Sequence, residues 1–283
     1  MTILQQLDSP LIRRALLEAV LVGALCGAVG VHVLLRRLPF FTLALSHATF
    51  PGVVAASLLG LSLRLGGAVA ALALVATVAA IGSTRRLEAS TATGVALSGA
   101  FALGVLLQSA QDGTSKDLTA FLVGDIFTVT RGDLLTTAAI GVAVLAALAS
   151  VHKELLFSAF DPGGAAAAGY RPAGLELATL ALVALTVVTS IQAVGTILVV
   201  ALLVTPALAA RLWLDRVVPM MVLGSLFGAA SGVSGIAASA QCGIAGGAAI
   251  GLSATAILVV SFVASSWRAA LHRRLPQKLL ARS

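Results

Sequence analysis

Charge is scarce in this 283-residue chain: Asp, Glu, Lys and Arg make up 10% of it, against 59% hydrophobic residues. A soluble domain carries about a quarter charged residues, so a soluble enzyme or binding module is excluded. The mean hydropathy of +1.06 leaves a polytopic helical membrane protein. Cysteine is nearly absent too. Cys26 and Cys242 lie in apolar runs with no second cysteine or histidine cluster close by, which gives no support to a disulfide or a zinc site. Both are expected as small buried hydrophobes. No Gly-Lys pair occurs, so the lysine loop that cradles nucleotide phosphates is missing. The chain is therefore no enzyme of that kind and brings no ATPase motif of its own. No small-residue cleavage site follows the first apolar run, which is expected to stay as a span.

Apolar stretches near the length needed to cross a bilayer fall at about 15–35, 41–62, 65–83, 91–110, 133–151, 173–191, 194–211, 217–236 and 244–265. The expected fold is all-α, one transmembrane domain over 1–283 with about nine spans. Eight is the alternative, if the first segment lies flat or starts inside. The eighth segment, with Ser231-Gly232-Val233-Ser234-Gly235, is short of bulky side chains and is expected to be broken or re-entrant. Glycine is plentiful, at 28 residues. Gly23/Gly27, Gly224/Gly228/Gly232 and Gly247/Gly251 have the spacing of close-packed helix faces.

With nine spans, thirteen of the eighteen Lys and Arg fall on one side, including Arg36, Arg37, Lys153, Arg171, Arg211, Arg216 and the tail 266–283. The positive-inside rule makes that side cytoplasmic. The C-terminus is then cytoplasmic, and the loop 111–132 lies outside. A multi-pass protein of the cell's inner or plasma membrane is expected. The tail's basic run Arg268–Arg282 reads as a topology anchor that attracts anionic lipid, with no nucleic-acid role. Acidic residues are expected only near span ends, Glu18 and Glu176 among them. A carrier driven by protons or sodium usually holds a carboxylate at mid-span, so the drive is expected from elsewhere.

Against this apolar background, Ser46-His47-Ala48-Thr49-Phe50-Pro51-Gly52 stands out. An ionisable side chain in hydrocarbon costs roughly 2.5–3.5 kcal/mol and tends to face a cavity, a partner or a path. Pro51 removes a backbone donor and Gly52 allows close approach. His47 reads either as a pore-facing ligand or as a packing histidine, with Ser46, Pro51 and Gly52 as pore or hinge positions. Gln192, Gly195 and Thr196, between the sixth and seventh segments, are further pore or hinge candidates. His32 reads as interfacial, and His152 and His272 as solvated.

The segment 152–170 offers another device. Asp161 suits an N-cap, Pro162 the first helical turn and Gly169 a stop. This describes a short surface helix whose small residues, Gly163 and Ala166 among them, admit another surface, with Phe157 and Phe160 as apolar footing. It reads equally as a plain connector and as a helix that docks on a separate ATP-binding subunit.

Five stretches together resemble the permease subunits of ABC importers for zinc, manganese and iron. They are Phe40–Gly60 with its Ser-His-x-x-x-Pro-Gly signature, Thr93–Gln108, Phe121–Val129, Leu156–Gly169 with Phe-Asp-Pro, and Gln192–Arg211. The resemblance covers roughly residues 10–265. It implies a homodimer, two cytoplasmic ATPase subunits and an extracytoplasmic metal-binding protein. The outer loops, 111–132 among them, would receive that protein. ATP is used by the partner, and no cofactor is bound permanently. Phe157, Phe160, Asp161, Pro162, Gly163, Ala166 and Gly169 become the ATPase-coupling positions, and His47 a transient ligand for the passing metal. The family's aspartate one turn before the histidine is Leu43 here, and another aspartate is Ser90. A path with imidazole and less carboxylate suits zinc ahead of manganese or iron. A permease for a metal chelate or cobalamin-like cofactor is the alternative, with a stand-alone secondary carrier behind it.

Overall fold

The computed structural model describes residues 9–82, 89–109 and 124–280. Among these the secondary structure is helical throughout. The elements are α1 (Pro10–Leu35), α2 (Pro39–Leu58), α3 (Leu63–Gly82), α4 (Ala89–Ser109), α5 (Arg131–Ser150), α6 (His152–Phe160), α7 (Pro162–Ala167), α8 (Pro172–Val194), α9 (Thr196–Arg211), α10 (Val217–Cys242) and α11 (Gly246–Leu280). A 3-10 turn over Ile126–Thr128 precedes α5. Sequence explains most boundaries. Proline opens α1, α2, α7 and α8, where its missing N–H has no helical partner to lose. Thr130 and Asp133 form a reciprocal capping box at the start of α5, satisfying two orphan donors at once.

Eight helices are long and apolar enough to cross a membrane: α1 to α5, α8, α10 and the Gly246–Arg268 part of α11. The chain is an all-α, multi-pass membrane protein. The remaining apolar helix, α9, has 16 residues, about 24 Å of rise, and falls short of a bilayer core of about 30 Å. It nevertheless runs the length of the bundle. It begins at Gly195, whose backbone touches Gly124 beside the 3-10 turn. It ends where Ala207 and Ala210 pack with Val31 and Leu35 of α1 and Val217 of α10. Protein surrounds it, since α1, α2, α10 and α11 all pack on it and Val199, Leu202, Leu203, Ala207, Ala209 and Ala210 are fully buried. A short helix is tolerated at membrane depth when its ends meet protein rather than lipid.

The tightest packing joins α1 to α10. A Cβ on Gly23 would lie 2.2 Å from the Gly228 carbonyl oxygen, one on Gly27 2.1 Å from that of Gly224, and one on Gly232 2.6 Å from that of Ala19. Positions rising along α1 meet positions falling along α10, so the helices are antiparallel and in backbone contact. Two of the three glycine faces expected from spacing thus meet each other. In the third, Gly251 packs on Leu198 of α9. The expected break near Ser231–Gly235 is not there: α10 is continuous over 26 residues. Small residues in this stretch serve contact with α1, not chain reversal. Of the cysteines, Cys26 is buried as expected, whereas Cys242 is exposed at the end of α10. There α10 stops at Gly243, in left-handed backbone geometry.

Candidate translocation elements

His47 sits midway along α2 and is half-buried. Its ring meets Phe101 of α4 edge-on, with centroids 6.0 Å apart, and Phe50 packs on the same phenylalanine. Neighbouring hydroxyls are spent on backbone. Ser46 donates to the Leu43 carbonyl at 2.9 Å and Thr49 to that of Ser46 at 2.7 Å. The imidazole makes no hydrogen bond among the described residues. Four residues on, Pro51 has no N–H for the His47 carbonyl, which leaves α2 one backbone bond short. Leu43, half-buried, lies one turn before, on the same face. Pro51 is buried and does not interrupt α2. Gly52 touches Gly66 of α3, where a Cβ would lie 2.2 Å from the opposing carbonyl oxygen. Pro51, Gly52 and Gly66, with Leu59, Val69, Leu103 and Leu107 but without His47, line an apolar cleft of about 570 Å³ between α2, α3 and α4.

The other face of α2 borders a polar space. Thr49, two residues from His47 and thus nearly opposite on the helix, lines a cavity of about 320 Å³. Glu18 of α1, Arg64 of α3, Asp125 beside the 3-10 turn, Asp133 and Thr137 of α5 and Gln192 of α8 close it. Arg64 forms an ion pair with Asp133 and donates to Gln192 through Nε. Asp125 caps the 3-10 turn by accepting from the Phe127 N–H at 3.2 Å. Glu18 is 2% exposed and accepts from the Thr137 hydroxyl at 2.7 Å. Glu18, expected near a span end, lies with Arg64, Asp133 and Gln192 towards one end of the bundle. Because α1 starts at Pro10, Glu18 lies two turns inside it. Of the other pore or hinge candidates, Gln192 reaches this cavity and Gly195 forms the α8–α9 link, with φ +88°. Thr196 is buried, its hydroxyl without a partner.

At the opposite end of the bundle, Arg36 donates to the Leu155 carbonyl at 2.9 Å and ties α6 to α1. Burial lowers the Arg36 pKa and nearby Glu176 opposes the shift; a guanidinium stays charged under either influence. His32, buried, and His152 meet edge-on at 5.7 Å, so His152 is a packed residue rather than a solvated one. The His272 side chain lies outside the described residues. The short helix forms as its residues predict. The Asp161 carboxylate accepts from the Gly164 N–H at 2.8 Å, Pro162 opens the first turn, and the chain leaves through Gly169 at φ +89°. Phe160 is 71% exposed and Phe157 40%, while Gly163 and Ala166 face outward beside them. Phe157 packs edge-on against Tyr170. A cleft of about 520 Å³ between Arg36, Arg37, Phe160, Pro162 and Glu176 adjoins this knob. Of the loop 111–132, expected outside, residues 111–123 lie beyond the described part.

Sequence reading missed Glu18 and the pairing of Arg64 with Asp133 and Gln192. The capping motif Thr130-x-x-Asp133 signals where α5 begins, but nothing local says that an arginine far earlier in the chain arrives there.

Residues 8–265 match the ABC 3 transport family. The chain is 35% identical over 232 residues to the manganese transport system membrane protein MntC of Halalkalibacterium halodurans, covering 82% of this chain and 80% of the relative. It is 34% identical over 239 residues to the zinc transport system membrane protein TroC of Treponema pallidum, covering 81% and 80%. Among solved structures, PsaBC from Streptococcus pneumoniae in complex with Fab contains a chain with 33% identity and a TM-score of 0.82, at 92% and 94% coverage. With the matched region spanning nearly every helix described above, the chain belongs to the ABC 3 transport family.

Proposed function

We infer that this chain is the membrane-spanning permease of an ATP-driven importer for divalent transition metal ions. It works as a homodimer with a separate cytoplasmic ATPase and an extracytoplasmic metal-binding protein. The observation that carries this reading is His47: a half-buried imidazole without a hydrogen-bond partner among the described residues, midway along a membrane-length helix that proline has left one backbone bond short. The similarity to manganese and zinc permeases supports a metal as cargo. One imidazole alone holds a divalent ion weakly, and a homodimer supplies a second. The exposed Phe157 and Phe160 around the capped α7 support docking of the ATPase, with Asp161, Pro162, Gly163, Ala166 and Gly169 giving the knob its shape. Nitrogen ligation without the aspartate at position 43 favours zinc over manganese.

The test is metal uptake into proteoliposomes holding the full complex with ATP, comparing the wild type with His47→Ala. ATP-dependent zinc uptake that falls about tenfold or more in the variant is the expected result. Uptake unchanged by the substitution removes His47 from the path. Preference for manganese overturns the zinc assignment, and no uptake of either ion overturns the metal cargo.

A further inference from the structure

The polar cavity behind α2 holds a group that the His47 reading does not use. Glu18 is buried to 2% exposure. Thr137 satisfies one carboxylate oxygen, but the other, Oε2, has no partner. A buried carboxylate left half-unsatisfied is costly, and Arg64 is already committed to Asp133 and Gln192. The cavity's charged lining is Glu18, Asp125 and Asp133 against the single Arg64. With all four ionised, two negative charges stand in excess, the charge that one divalent cation balances. Every polar lining group apart from Arg64 offers oxygen: carboxylates, the hydroxyls of Thr49, Thr128 and Thr137, and the Gln192 amide. The lining has no histidine, cysteine or methionine. Such a donor set suits hard cations of the calcium, magnesium and manganese class over zinc.

We propose that this cavity binds one hydrated hard divalent cation, with Glu18 as its direct ligand. Among the described residues, no three His, Cys, Asp or Glu side chains gather closely enough to hold a bare metal ion. The other carboxylates therefore act through water. The volume, about 320 Å³, admits an ion with several waters, each about 30 Å³ of liquid. Thr49 and His47 lie on opposite faces of α2, so this site is distinct from the one at His47. An ion seated there draws together α1, α3, α5 and α8, whose polar residues converge on it.

Equilibrium binding of Mn²⁺ to the purified full-length permease tests this, read by loss of the free-ion electron paramagnetic resonance signal. The expected result is one Mn²⁺ per chain, displaced by millimolar Ca²⁺ or Mg²⁺. Glu18→Gln keeps the acceptor for Thr137 but removes the charge, and should weaken binding about tenfold or more. His47→Ala should leave it unchanged. Asp125→Asn, which retains an acceptor for the 3-10 turn and halves the excess charge, should weaken binding by a smaller factor. That variant carries the test if Glu18→Gln loses its thermal transition. Equal binding by wild type and both carboxylate variants, or no Mn²⁺ bound by the wild type, overturns the site. The assay needs neither ATPase nor transport, so its failure leaves the importer reading standing, and the reverse holds too.

Discussion

A single carboxylate shapes the exposed knob at the α6–α7 corner. Asp161 ends α6, starts α7 and accepts from the Gly164 N–H. Since α7 is only six residues long, it has almost no helical cooperativity to fall back on. Loss of an N-cap of this kind costs about 1 kcal/mol, enough to leave so short a helix largely unformed. Asp161→Ala should therefore lower metal-dependent ATPase activity of the assembled complex several-fold while leaving expression and thermal midpoint of the permease near wild type. Asp161→Asn, which can cap equally well, should restore it. A defect in the Asn variant as large as that in the Ala variant would mean that charge rather than capping matters there. This residue was legible in the sequence because capping is local: Asp, Pro and Gly at fixed offsets carry the whole signal. His47 was legible for a related reason, as an ionisable group in an apolar run. Glu18 was not, because its meaning depends on where α1 starts and on Thr137, which lies 119 positions away.

Among the helices, backbone contact sets the architecture. The α1–α10 pair packs through glycines because lipid offers no hydrophobic push between helices, and close van der Waals approach takes its place. A Cβ on Gly228 would lie 2.0 Å from the Gly23 carbonyl oxygen, an atom of the main chain that cannot swing aside. Gly228→Val should therefore destabilise the permease by about 1–3 kcal/mol, in the range of overpacked cores, and lower its thermal midpoint in detergent. At Gly99 of α4, nothing lies within 4 Å of a new Cβ. Gly99→Ala should leave the midpoint unchanged or raise it, by up to about 1 kcal/mol of helix propensity. Equal losses in both variants would deny the packing argument. Spacing alone showed that these faces existed, but not which met which, since every glycine pair at that interval looks alike from its own helix. The same ambiguity made Ser231–Gly235 look like a break. A run of small residues reads as weakness until its partner helix is known.

At the scale of the whole molecule the question is parity, and it turns on whether α9, too short to count among the eight membrane-length helices, crosses. Nine traversals place the α6–α7 corner and the α10–α11 link at opposite ends of the bundle; were α9 to turn back, they would share one. The end bearing Arg36, Lys153, Arg171, Arg211 and Arg216 is the basic one, so the positive-inside rule predicts that it faces the cytoplasm. Gly246, just beyond the α10–α11 link, touches Ile126 and Phe127 of the 3-10 turn, at the end where Arg64 and Asp133 meet. Cys242, the last residue of α10 before that link, is exposed, and Cys26 is fully buried. The native cysteines thus form a ready probe. A membrane-impermeant maleimide should label Cys242 in intact cells. In a Cys242→Ser background, a cysteine introduced by Ala167→Cys, at an exposed position, should label only after the membrane is opened. Cys26 should resist both treatments until the protein is unfolded. Labelling of both exposed sites from the same side would show that α9 fails to cross. Hydropathy placed a span here and left the first segment as the doubtful one; in the structure α1 is long and apolar enough to cross, and the short helix is α9, whose 16 residues are too few for a lipid-facing span and enough for one enclosed by four neighbours. The packing of Val31 and Leu35 against its far end is what predicts a crossing from so short an apolar helix.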